Sequence, residues 1–122
     1  MPVRALDHVQ LAMPPGEEAR ATVFYERLLG IPRVPKPERL AGRGGCWFES
    51  GAVRIHLGIE PDFRPARKAH PALTVDGLDG LVAALAGAGV SVQGAEALDG
   101  RRHVYVDDPF GNRIELIEPA SG

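Results

Sequence analysis

Four side chains able to bind a metal or move a proton sit at matching places in this 122-residue chain. His8 precedes "VQLAM", and His70 opens "HPALTVD". His56 lies in "RIHL" (Arg54 to Leu57), and Glu115 lies in "RIEL" (Arg113 to Leu116). Two tetrapeptides differing only in histidine against glutamate suggest two copies of one strand, each carrying a ligand-type residue. Imidazole nitrogen and carboxylate oxygen suit divalent transition metals, and either group can act as a general acid or base near neutral pH. A histidine on a strand is more often a satisfied structural residue than a ligand. Three histidines at equivalent strand positions, with a glutamate completing the set, argue instead for one shared site.

The elements that position these residues also come in duplicate. "LDHVQLAMP" runs into "EEARATVFYERLLGI", and "KAHPALTVD" runs into "GLDGLVAALAGAGV". Each is a strand pattern followed by a helix pattern. In the first strand Val9, Leu11 and Met13 alternate with His8, Gln10 and Ala12, the period-two sign of a half-buried strand. Leu78, Leu81, Val82 and Leu85 form an apolar stripe at helical spacing. Asp76 is the expected N-cap of that helix, and Gly87 or Gly89 its left-handed terminator. In the first helix Phe24 and Leu28 share a face, with Gly30 as terminator.

Gly30 precedes His56 by 26 residues, and Gly89 precedes Glu115 by the same 26. After each helix, "GGCWFESGAVRIHLGI" and "RRHVYVDDPFGNRIELIE" both read as strand, tight turn, strand. The Pro-rich stretch from Ile31 to Gly42 predicts a short or edge strand. The expected fold class is α+β: two βαβββ modules forming a curved, mostly antiparallel eight-stranded sheet. The chain reads as a single domain of two repeats, about residues 4–61 and 67–119, joined near "EPDFRPARK".

Strand alternation places the chemistry. Val53, Ile55, Leu57 and Ile59 form one face of their strand, so His56 points the other way with Arg54. Ile114 and Leu116 point inward, so Glu115 points with Arg113. Gln10 shares the His8 face and Lys68 the His70 face. If the repeats pair about a pseudo-twofold, His8, His56, His70 and Glu115 converge in one cavity.

Composition sets bounds on partners. A formal net charge of -2 argues against a nucleic-acid or anionic-membrane partner. The sole cysteine, Cys46, excludes an intrachain disulfide. "MPVRALDHV" lacks the apolar stretch of a signal peptide, and no apolar run approaches the length of a membrane span. A cytoplasmic location is expected.

"DHVQLAM", "FYERLLGI", "HPALTVD" and "YVDDPFGNRIELIE" together resemble the vicinal oxygen chelate superfamily over nearly the whole chain. That superfamily includes glyoxalase I, extradiol dioxygenases, methylmalonyl-CoA epimerase, and fosfomycin and bleomycin resistance proteins. The resemblance implies paired βαβββ modules around one divalent metal (Zn, Ni, Fe, Mn or Co). It places His8, His70 and Glu115 on the recurring ligand positions and His56 on the fourth, which is glutamate in glyoxalase I. Such a metal would polarise a pair of substrate oxygens or ionise bound water near neutral pH.

The resemblance carries three functions. The first is a metal-dependent lyase or isomerase of glyoxalase type, acting on a small oxygenated molecule. The second is an Fe(II) or Mn(II) extradiol-type ring-cleavage dioxygenase. Tyr105, Pro109, Gly111 and Glu115 match part of the dioxygenase signature, and His56 stands where an acid or base histidine would help. The histidine that this signature carries further upstream is absent. The third is a small-molecule-binding resistance protein, although metal-free bleomycin binders need no such quartet. His56 and Tyr105 are the expected catalytic residues. Gln10, Lys68, Arg54 and Arg113 are the expected substrate contacts, with Arg102 a further cation able to receive an anionic group. Trp47 is expected to fill the core. A small-molecule substrate and a homodimer are implied, the modules being paired within one chain or exchanged between two.

Overall fold

The tight spacing of apolar residues after each helix produces two separate four-stranded sheets. The computed structural model describes residues 1–97 and 99–120. Its chain divides into two compact units, Met1–Arg64 and Pro65–Gly122, each with the βαβββ order.

In the first unit, β1 (Val9–Met13) leads into α1 (Glu18–Thr22), β2 (Arg33–Val34), a short α2 (Glu38–Ala41), β3 (Cys46–Ser50) and β4 (Val53–Ile59). The sheet order is β1-β4-β3-β2. β1 runs parallel to β4, and the other two pairings are antiparallel. A crossover helix must intervene before β1 acquires its parallel neighbour, and α1 supplies it. β2 is a two-residue strand at the sheet edge, where a proline-flanked segment loses few ladder bonds. The α2 turn in the same Pro-rich stretch gave no signal in the apolar pattern.

The continuation of α1, Val23–Leu28, is a π-helical turn in which Leu29 N–H donates to the Phe24 carbonyl at 3.0 Å. The wider turn rotates consecutive residues inward, so Phe24 and Tyr25 are both buried while Leu28 is half-buried. Tyr25 stacks on Phe48 of β3, with ring centroids 5.2 Å apart. Met13, Ile55 and Leu57 complete this core. Val53, at the start of β4, is exposed, so the apolar face begins at Ile55.

The second unit repeats the plan. β5 (Ala72–Thr74), α3 (Leu78–Gly87), β6 (Val92–Gly94), β7 (His103–Asp107) and β8 (Arg113–Ile117) form a sheet ordered β5-β8-β7-β6. β5 and β8 are parallel, and β7 is antiparallel to both β6 and β8. α3 buries Leu78 and Leu85, the ends of the sequence stripe, and half-buries Leu81 and Val82. Its N-cap is Gly77, in the left-handed region at φ 69, and no side chain caps the helix. Asp76 therefore does not cap: the chain turns one residue later, at a position that glycine fills without steric cost. Gly30 and Gly89, at φ 77 and 83, follow the two main helices as expected.

The turn between β7 and β8 is built by Asp108. Its Oδ1 accepts from the backbone N–H of Phe110 and of Asn112, each at 2.9 Å, and its Oδ2 accepts from Asn112 Nδ2 at 2.8 Å. This network sets the register that places Tyr105 opposite Glu115.

Candidate functional site

Each unit assembles its own group of ligand-type residues on the face of the sheet opposite its core. In the first unit, β4 lies between β1 and β3, with His56 in register with Gln10 on one side and Trp47 on the other. The His56 ring stacks on Trp47 with centroids 3.8 Å apart and planes 1° off parallel. His8, at the residue before β1, stacks on His56 at 4.3 Å and 21°. His56 is thereby buried, although its strand face is the polar one. Its Nε2 lies 2.6 Å from Glu49 Oε2, a carboxylate two residues after Trp47 on β3.

His8 remains partly exposed, and its Nδ1 lies 2.9 Å from Asp7 Oδ1. Asp7 Oδ2 accepts from Arg54 Nη1 at 3.3 Å. The hydrogen bond to His8, with Arg54 adding its charge, holds the Asp7 carboxyl below the usual carboxylate range. The Gln10 amide lies over Gly58, where any larger residue's Cβ would overlap its Nε2. Gly58 thus lets Gln10 lean along the same β4 face as His56.

In the second unit, Glu115 on β8 is buried with both carboxylate oxygens engaged. His70, just before β5, has Nδ1 donating to the Lys68 carbonyl at 2.9 Å, while its Nε2 lies 3.0 Å from Glu115 Oε1. His103 on β7 sits at a diagonal position on the same face, with Nδ1 3.0 Å from Glu115 Oε2. Its Nε2 donates to the Glu96 carbonyl at 2.6 Å. Tyr105, directly across from Glu115, presents its ring edge-on to both His70 (5.4 Å) and His103 (5.6 Å). The Arg113 guanidinium covers the Tyr105 ring at 4.1 Å from the centroid.

Within the first unit, the expected residues His8, His56, Gln10 and Arg54 gather around β4, and within the second, His70, Tyr105, Arg113 and Glu115 gather around β8. Lys68 meets His70 through its backbone carbonyl, and its side chain is exposed. Arg102 is committed to Asp79 (2.9 Å) and Glu118 (3.2 Å). Trp47 is half-buried against His56 rather than filling the core, because alternation along β3 gives the core side to Cys46 and Phe48.

Three residues went unmarked in the sequence: Glu49, Asp7 and His103. Each was legible as a same-face or adjacent partner. Glu49 lies two residues from Trp47, Asp7 precedes His8, and His103 lies two residues from Tyr105.

Among the described residues, no group of three or more His, Cys, Asp or Glu side chains is arranged to hold a metal ion. The donor chemistry nevertheless fits one. His70 Nε2 and Glu115 Oε1, 3.0 Å apart, are an imidazole nitrogen and a carboxylate oxygen, the donor types that would hold a divalent transition metal. Histidine ligands usually donate their other ring N–H to a carbonyl or carboxylate, as His70 does to Lys68.

This arrangement of repeats and donors coincides with a family match. Residues 5–116 match the model of the glyoxalase, bleomycin resistance protein and dioxygenase superfamily. The chain belongs to this superfamily. Among solved structures, a protein assigned to the glyoxalase family from Bacillus anthracis shares 44% identity with this superfamily member, with a TM-score of 0.91 and 97% of each chain covered. A lactoylglutathione lyase from Agrobacterium tumefaciens has a TM-score of 0.74 at 20% identity, covering 97% of this chain and 96% of its own. An antibiotic binding protein from a Streptomyces species has a TM-score of 0.72 at 22% identity, covering 98% and 99% respectively. The last two share the superfamily fold and carry no further inference. No curated protein sequence matches the chain. No helix among the described residues of this superfamily member is long and apolar enough to cross a membrane.

Proposed function

We propose that the protein is a divalent-metal-dependent enzyme of lyase or isomerase type acting on a small oxygenated molecule. His8, His70 and Glu115 are its metal donors, and His56 is its acid/base group. The observation that carries this reading is the way His8 and His70 are held. Each has Nδ1 engaged by a neighbouring oxygen, of Asp7 and Lys68 respectively, which makes Nε2 the donor nitrogen in this reading, that of His70 lying 3.0 Å from Glu115 Oε1. His56 is held the opposite way, with Nε2 on Glu49. A carboxylate on one ring nitrogen supports an imidazole that exchanges a proton through the other.

When bound, the divalent metal supplies Lewis-acid polarisation of adjacent substrate oxygens. The protein's own residues do the rest. Glu49 fixes the His56 ring, Trp47 and His8 restrict it to one plane, and Gln10 offers an amide along the same strand face. Tyr105 lies directly across from the buried Glu115, and the Arg113 guanidinium lies over the Tyr105 ring.

A second reading is supported by the same Glu49-held histidine together with Tyr105. Extradiol-type ring cleavage would use His56 as acid/base and Fe(II) or Mn(II) at the donors. Metal analysis of protein purified without added metal separates the two. Tightly held zinc or nickel is the expected result. Iron with oxygen-sensitive activity would favour the dioxygenase. Absence of any divalent metal and of affinity for one would sink both readings and favour a binding protein. His70→Ala and Glu115→Ala are expected to abolish metal uptake, and full retention would refute the donor set.

A further inference from the structure

Glu115 can face His70 with either oxygen unless something fixes the carboxylate's rotation. We infer that His103 is the positioning residue that does so, an inference resting on the reading of Glu115 and His70 as metal donors. His103 and Glu115 are 8% and 7% exposed, so no bulk water competes for their contact. His103 Nδ1 takes Oε2 at 3.0 Å, which leaves Oε1 as the oxygen aimed at His70 Nε2.

His103 is held at both ring nitrogens, Nε2 by the Glu96 carbonyl at 2.6 Å and Nδ1 by Glu115 Oε2 at 3.0 Å. The Glu96 contact anchors the ring from behind, and Tyr105 spaces the two imidazoles by meeting both edge-on. The Arg113 guanidinium packs over the Tyr105 ring, 4.1 Å from its centroid. The result is a preset pair of donor atoms whose orientation comes from the contacts Glu96–His103–Glu115–His70, of which His103 and Glu115 are buried. Groups that hold a ligand in place commonly contribute 10–100-fold to metal affinity.

The test is Co(II) titration of the full-length protein, followed by its visible absorption bands and by competition with a chelator. His103→Asn keeps an N–H near the Nδ1 position, His103→Gln moves it toward the Nε2 position, and His103→Leu removes it. His103→Leu is expected to bind Co(II) roughly 10–100-fold more weakly with a shifted spectrum. His103→Asn should restore affinity to within a few-fold of the native chain, and His103→Gln should not. If His103→Leu fails to fold, the Asn against Gln contrast alone decides. Native affinity and spectrum in His103→Gln or His103→Leu would overturn the inference, as would an Asn variant no better than Gln. In those cases loss of binding in Glu115→Ala would leave the donor assignment standing. No Co(II) uptake by the native chain, or native uptake by Glu115→Ala, would overturn the donor assignment and this inference with it.

Discussion

Cys46 illustrates how strongly burial alone changes a residue's chemistry. The thiol is 1% exposed at the start of β3, and burial pushes its pKa up from 9.0 to about 11. The folded chain therefore holds the proton over a range in which the unfolded chain releases it. Stability contributed by this group is intact below pH 9.0 and falls as pH rises from there toward about 11. Urea unfolding at pH 8 to 11 should show this loss in the native chain and a shallower one in Cys46→Ala. A thiol reagent at pH 8 should react only as fast as the protein opens. Asp108 is the polar counterpart. One carboxylate satisfies two backbone N–H groups and the Asn112 amide in a buried turn. Asp108→Ala should cost about 2–4 kcal/mol, read as a lowered urea midpoint. Alternation and duplication both mark His56 and Glu115 as candidates in the sequence. His103, a same-face neighbour of Tyr105 but without a repeat counterpart, stands out as a partner of Glu115 once β7 is laid beside β8.

Duplication decides the elements, and turn stereochemistry refines them. β3 starts after Gly45, whose φ is 80 and whose N–H donates to Glu18 Oε2 at 2.9 Å. A Cβ there would overlap the Leu57 carbonyl oxygen of β4, which ties the chain reversal to the strand that carries His56. Gly45→Ala should destabilise the protein by roughly 2–4 kcal/mol, measured by thermal or urea unfolding. A variant as stable as the native chain would show that the β3–β4 approach is loose. The βαβββ succession, the short edge strand and the two main helices follow from periodicity and proline placement. The π-helical turn at Val23–Leu28 and the brief α2 do not. A period of five between hydrogen-bonded residues leaves almost the same apolar spacing as the ordinary helix over so short a run. Asp76 looked like a cap because its type favours that position, yet the left-handed turn at Gly77 took the role instead.

At the scale of the molecule, the question is whether two repeats serve one metal or hold separate half-sites. Any ligand that binds the folded chain alone stabilises it by RT ln(1 + [L]/Kd), about 2.7 kcal/mol at a hundredfold excess over Kd. For a chain of this length that corresponds to a rise in Tm of roughly 10 °C. If His8 from the first repeat and His70 and Glu115 from the second act as one donor set, His8→Ala and His70→Ala should each remove nearly the whole rise. Independent half-sites would instead each lose only their own share, and the double variant would lose the sum. Differential scanning calorimetry with and without Zn(II) or Co(II), and again after chelator, reads the difference directly. Retention of half the shift in both single variants would refute a shared set while leaving each repeat's metal affinity intact. The shared set is the outcome that the proposed donor assignment requires, since it takes His8 from the first repeat and His70 and Glu115 from the second.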